Sequence, residues 1–158
     1  MSVLARLRPE LIAIAPPWHG FRDTVTGLVG LLVHAGAFPP AREDDAVRAV
    51  ITREHEASTA ELEIGVGVPH ARLNGLRETV VALGISRAGF YEPVPTITIP
   101  IVALILSPPG AADDHLRTLA SLATLLRSDR LRASLLAAAE PASALAALGR
   151  HTRSAPLG

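Results

Sequence analysis

The sequence predicts an α/β domain of three layers, α/β/α, with a mixed central β-sheet flanked by helices. Three observations carry that expectation. Short apolar, β-rich runs recur at residues 11–15, 64–68, 79–85 and 97–106. Between and after them lie stretches with apolar residues at offsets of three and four, the stripe of an amphipathic helix. The chain is 49% hydrophobic over 158 residues, with Lys+Arg and Asp+Glu balanced at 15 each, which suits a folded chain and not a disordered one. Strands mixed with amphipathic helices, and helices ending the chain, make a layered α/β domain. The length suits one domain, taken as residues 1–150, with 151–158 a flexible C-terminal tail too poor in apolar residues to dock.

Residues 11–15 are bounded by Pro16-Pro17 and read as the first strand. Asp23 can cap a helix whose buried stripe is Val25, Leu28, Val29, Leu32 and Val33, and Gly36 is a fitting stop. After Pro39-Pro40, the acids Glu43, Asp44 and Asp45 open a second helix, where they complement the macrodipole. Val47, Val50 and Ile51 are its apolar face, and it is expected to end near Arg53, with residues 54–63 a loop.

In Ile64-Gly65-Val66-Gly67-Val68-Pro69-His70, apolar residues alternate with glycines that let another group approach the backbone closely. Pro69 ends the run and holds His70 at its exit. Asn74-Gly75 signals a turn. Residues 79–85 read as a central strand, and 97–106 as a strand buried on both faces, whose first half Pro100 demotes to an edge or bulge.

Beyond Ser107-Pro108-Pro109-Gly110, Asp113 or Asp114 can cap a helix with Leu116, Leu119, Ala120, Ala123 and Leu126 on one face. Ser128 or Asp129 starts the next, with Leu131, Leu135 and Leu136 inward. A last short helix is expected from Ala142 to Leu148, stopping at Gly149.

Composition also excludes. A net charge of +0 leaves no electrostatic footprint for nucleic acid or an anionic membrane surface. Without cysteine there is neither a disulfide framework nor a thiolate metal site, which fits a cytoplasmic protein. The first ten residues lack the apolar core of a signal peptide, and no apolar run approaches the roughly 20 residues of a membrane span.

Chemistry then falls to the histidines. His34 sits in the last turn of the first long helix, where a cation suits the dipole. His19 lies in a loop and His151 in the tail. His55 falls in the charged loop. His115 opens a helix directly after a strand, where free N–H groups favour anions and a neutral imidazole. His70 follows small residues, so it is accessible and oriented, although on its own heptapeptide an ordinary turn histidine is the simpler reading. A zinc site of His55, His70 and His115 is conceivable, but Arg53 would repel the cation and the spacing matches no zinc motif. No cofactor is implied.

Together these pieces are more specific. Arg53-Glu54, Ser58-Thr59, Gly65-Val66-Gly67-Val68-Pro69-His70, Pro108-Pro109-Gly110 and Asp114-His115-Leu116 occur in one order. That order resembles the enzyme IIA domain of the bacterial phosphotransferase system (PTS), in its fructose/mannitol class. Leu4-Ala5-Arg6-Leu7-Arg8-Pro9-Glu10-Leu11-Ile12 looks like the start of its nitrogen-regulatory branch, and Tyr91-Glu92 sits where the family has an aromatic–acidic pair.

The resemblance implies a phosphoryl-carrier protein. His70 would accept the phosphoryl group through a neutral Nε2, and His115 would steady it. Arg53 would offset its charge, and Thr59 would supply a hydroxyl. The donor implied is an HPr-like phosphocarrier. The recipient is a regulatory target protein or, in a sugar-transporting version, a separate EIIB domain. A freestanding domain with this N-terminus points to the regulatory role. A sensor or interaction domain that keeps the fold without phosphotransfer is the third reading. Its support is Glu61 and Glu63, which would add negative charge where the family more often has a glycine-rich stretch.

Overall fold

The computed structural model describes residues 2–154. Its strands are β1 (Ile12–Ile14), β2 (Ala60–Glu61), β3 (Val66–Gly67), β4 (His70–Arg72), β5 (Val80–Ile85) and β6 (Ile101–Ser107). Its helices are α1 (Val3–Arg6), α2 (Phe21–His34), α3 (Glu43–Glu56), α4 (Ala112–Leu126), α5 (Asp129–Ala137) and α6 (Pro141–Ser154). The strands form one mixed sheet in the order β1-β5-β6-β3-β2, with β4 also on β6.

β5 and β6 pair antiparallel from Val80↔Leu106 to Ile85↔Ile101, and every residue in both is buried. Strands buried along both faces need helices on both sides. α2 and α3 pack on each other and against β5 and β4, whereas α4 lies on β6, α6 on β1, and α5 bridges α4 and α6. The predicted three-layer α/β/α arrangement with a mixed sheet is the one observed.

The detail that positions the site is a split strand. β3 and β4 both run parallel to β6, β3 beside Ile101 and Val102, β4 beside Ile105 to Ser107. Val68-Pro69 separates them, and the Pro69 carbonyl still accepts from Ile105 N at 3.1 Å. His70 therefore opens a second strand segment; it does not hang from the exit of the first, as the sequence suggested. Gly67 matters here: a Cβ on it would meet the Tyr91 hydroxyl closer than real Cβ contacts occur. The close approach expected of the glycines is thus made by Tyr91, buried edge-on against Phe21 at 5.1 Å between ring centroids.

Several expected boundaries move. Gly20 (φ 91°) precedes α2 as its N-cap, and the Asp23 carboxylate instead reaches back to accept from His19 N at 2.8 Å. α3 continues past Arg53 to Glu56, so Glu54 and His55 belong to its last turn and not to a loop. Residues 97–100 lie outside β6, which begins just after Pro100, in line with the demotion that proline implied. Ala111, not an aspartate, is the N-cap of α4, and the helix buries His115, Thr118, Leu122 and Leu126. Leu116 is 63% exposed and Ala120 is exposed, so the expected stripe was rotated. The leucines at 116, 119, 122, 125 and 126 span half of that helix, and the expected stripe was centred on Leu116 at one edge of the arc instead of on its buried middle near Leu122. α6 passes through Gly149 to Ser154, so Arg150 and His151 are helical. The remainder of the expected tail, residues 155–158, lies outside the described residues.

Candidate functional site

Three elements converge on a cleft of about 980 Å³. The last two turns of α3 contribute Arg48, Thr52, Arg53 and Glu56; β4 contributes His70 and Arg72; the start of α4 contributes His115 and Leu116. On α3 the lining residues recur at helical spacing. On β4, His70 and Arg72 are two apart and so share a face of the strand.

The rings of His70 and His115 meet edge to face, with centroids 5.2 Å apart at 61°. His70 Nδ1 lies 2.9 Å from the Val68 carbonyl oxygen. A carbonyl can only accept, so Nδ1 carries the proton and Nε2 is the bare nitrogen of the neutral ring. Burial is the main influence holding the His70 pKa below its ordinary value, and the nearby Arg53 guanidinium adds to it. The Val68 hydrogen bond and the Glu54 carboxylate pull the other way.

His115 is buried, with Nδ1 2.7 Å from Ser107 Oγ. Its pKa is pushed down to about 4, chiefly by burial, then by His70 and Arg72. The sequence anticipated a neutral imidazole from the helix N-terminus; burial and neighbouring cations are the causes found. Both rings are therefore neutral near pH 7. The cleft lining carries three guanidinium groups, Arg48, Arg53 and Arg72, and the Glu56 carboxylate, while the Glu54 and Asp114 carboxylates act on the rings of His70 and His115. Such a cleft attracts a dianion.

The structure brings His70, His115 and Arg53 together but leaves Thr59 out of the cleft lining. Thr59 is committed to Glu54 instead. Its hydroxyl donates to Oε1 at 2.6 Å and its amide to Oε2 at 2.7 Å, which ties the chain after α3 back to that helix. Glu61 and Glu63 are exposed and do not line the cleft. His55 is exposed on α3 and also takes no part. Among the described residues, no group of three or more His, Cys, Asp or Glu side chains is arranged to hold a metal ion.

Sequence reasoning missed Ser107, Arg48 and Arg72. Period-two spacing from His70 could have found Arg72, whereas Arg48, five residues before Arg53, does not share its helical spacing. Ser107 gave no signal beyond its position at a strand end.

Comparison with known families now decides the relationship. Residues 7–150 match the family described as "Phosphoenolpyruvate-dependent sugar phosphotransferase system, EIIA 2". The chain belongs to this PTS EIIA family. A fructose-specific EIIA component of the PTS from Haloferax volcanii is 30% identical over 130 residues, 82% of each protein. Among solved structures, the nitrogen regulatory protein IIA-Ntr from Neisseria meningitidis superposes with a TM-score of 0.77 at 23% identity, covering 92% of this chain and 98% of that one. Enzyme IIA-mannitol from Escherichia coli, solved in complex with phosphorylated enzyme IIB-mannitol, gives 0.72 at 19% identity, covering 91% and 97%. These two establish the shared fold. As a PTS EIIA-family member the chain is a phosphoryl carrier with sugar-specific and nitrogen-regulatory relatives. Among the described residues no helix is long and apolar enough to cross a membrane.

Proposed function

We propose that this EIIA protein takes its phosphoryl group on Nε2 of His70 from a histidine-phosphorylated, HPr-like carrier. Its phosphorylation state then chiefly governs binding to a regulatory target protein. The observation that carries the acceptor assignment is the Val68 hydrogen bond, which leaves Nε2 as the one open nitrogen of a neutral ring facing a positive cleft. In the step, the Nε2 lone pair attacks phosphorus in line while the carrier's P–N bond breaks. The carrier's imidazole keeps that electron pair. Phosphoryl transfer asks mainly for positioning and charge stabilisation. Arg53 offsets phosphoryl charge and His115 steadies the group across the pocket. Thr59 serves indirectly, by fixing Glu54 beside His70. The role places the protein in the cytoplasm, with no direct membrane insertion, no nucleic-acid partner and no cofactor.

The regulatory emphasis rests on the likeness of the N-terminal segment to the nitrogen-regulatory branch. A second reading has a specific observation behind it: the fructose-specific relative spans 82% of the chain. On that reading His70 passes its phosphoryl group to a separate EIIB protein. The phosphotransfer-dead reading loses its main support, because Glu61 and Glu63 are exposed and are not among the residues that line the cleft.

The test is phosphorylation in a mixture of enzyme I, an HPr-type carrier and phosphoenolpyruvate, with intact mass recorded under mildly basic conditions that preserve phosphohistidine. A gain of one phosphate that is absent in His70→Ala is expected. No gain with the host's own carriers would refute the proposal. Onward transfer to an added EIIB protein would select the sugar-transport reading over the regulatory one.

A further inference from the structure

β4 carries a cation on the same face as His70. His70 and Arg72 lie two apart along the strand, so their side chains leave on one side of the sheet. Arg72 pairs with Ser107 of β6 in the sheet register, and directly paired residues share a face too. Ser107 Oγ stands 2.7 Å from His115 Nδ1, which brings the root of the Arg72 side chain beside the His115 ring. His70, Arg72 and His115 all line the cleft. The electrostatics agree with this placement: the Arg72 charge bears on His115, whereas the Arg53 charge bears on His70 and is the weakest of the influences on His115.

The three cleft arginines are not equally free to meet an anion. Arg48 Nη2 is 2.7 Å from Asp45 Oδ1, and Arg53 Nη1 donates to the Ala57 carbonyl at 3.3 Å. Arg72 is exposed and, among the described residues, its guanidinium makes no hydrogen bond or ion pair. All five N–H donors of that fork are open. A solvated surface arginine would call for no anion. What separates Arg72 from one is its place, on the strand face of His70, next to His115 and in the wall of the cleft.

We infer that Arg72 is a phosphoryl-binding residue, which takes the oxygens of the group on His70 from the His115 side while Arg53 takes them from α3. The inference rests on His70 being the phosphoryl acceptor. The phosphohistidine dianion then sits between two guanidinium groups from different elements. Glu56 in the cleft lining, and Glu54 and Asp114 acting on the rings, oppose them. The planar fork of Arg72 matches two phosphoryl oxygens at once, and its charge shortens and strengthens both contacts.

The test uses phosphoramidate, a donor small enough to need no partner surface. Nε2 of His70 forms its bond to phosphorus as the donor's P–N bond breaks, and ammonia leaves with that electron pair. Intact mass follows the rate of phosphate gain, and a ³¹P NMR titration of the phosphoprotein gives the pKa of the phosphoryl group. Arg72→Gln should slow the gain about tenfold, the loss of one charge-assisted hydrogen bond. It should also raise the phosphoryl pKa, because the dianion loses a neighbouring cation. Arg72→Lys keeps the charge and should keep that pKa near the wild-type value. Arg77→Gln removes an equal charge from a separate groove and should change neither quantity. Arg72 is exposed and unbonded, so its glutamine variant should unfold at the wild-type temperature. An unchanged rate or an unchanged pKa in Arg72→Gln, or equal changes in Arg77→Gln, overturns the inference. Wild-type protein that gains no phosphate refutes the acceptor reading and the inference with it, so the two failures are told apart.

Discussion

Replacing Gly67 by alanine tests how the site is seated. The new Cβ would meet Tyr91 Oη inside the 3.0 Å that real Cβ atoms respect, while the next atom of the ring, Cζ, stands at an ordinary 3.4 Å. Tyr91 cannot swing away freely, because it is buried and packed on Phe21. Gly67 cannot retreat either, since it is held between Ala60 of β2 and Val102 of β6. Overpacking of this kind costs about 1–3 kcal/mol. The clash is with a single oxygen, and that hydroxyl has no hydrogen-bond partner. An unpaired buried hydroxyl itself costs about 1–3 kcal/mol, so Tyr91→Phe alone should be neutral or stabilising. Combined with Gly67→Ala it should restore most of the loss, giving a favourable coupling of about 1–3 kcal/mol in the double-mutant cycle. Urea unfolding of the four proteins measures this. Additivity within about 0.5 kcal/mol would show that the Tyr91 hydroxyl is not what occupies the space above Gly67.

Acid should weaken the fold through His115. Its folded pKa of about 4 lies below the ordinary 6.5, so the unfolded chain binds the proton first, and stability falls as pH drops from about 6.5 toward 4. The loss is at most about 3 kcal/mol, His70 adds in the same direction, and His115→Asn should flatten the profile of unfolding free energy against pH. Asp114→Ala leaves the Arg6 guanidinium, 6% exposed, without its partner, and should cost about 3 kcal/mol or more. Arg6→Met should cost less, because the Asp114 side chain it abandons is 29% exposed; the reverse ranking in thermal unfolding would refute that assignment. Leu116→Ser at the cleft rim should change stability by no more than about 0.5 kcal/mol yet slow phosphoryl exchange with the carrier, and an unchanged exchange rate would show that the leucine touches no partner.

The layering was legible in the chain because the two central strands are apolar at every position but Ser107, a pattern a doubly covered sheet explains. That His70, His115 and Arg53 stand together at one cleft was legible through their order and their neighbours. What escaped was whatever depends on tertiary contact. The inward side of α4 was misread because Leu116, Ala120 and Ala123 were taken into its stripe, whereas the sheet covers the neighbouring side of Thr118, Leu122 and Leu126. The end of α3 was placed a turn early because Glu54 and His55 look like loop residues. Glu54 is in fact used by Thr59, whose hydroxyl seemed free from sequence alone. Asp114 looked like a cap, and nothing local reveals that Arg6, 108 residues away, holds it.

The interruption between β3 and β4 fixes the regiochemistry of His70 through the main chain. Because Pro69, and not Val68, supplies the carbonyl that meets β6, the Val68 oxygen is left to occupy Nδ1. No side-chain replacement at position 68 removes that oxygen. An electrophile entering the cleft therefore meets Nε2 whatever residue evolution or an engineer installs there, so long as the chain keeps its break. Protection of this kind resists mutational drift better than a hydrogen bond lent by a replaceable side chain, and the proline that maintains the break guards the chemistry without touching it.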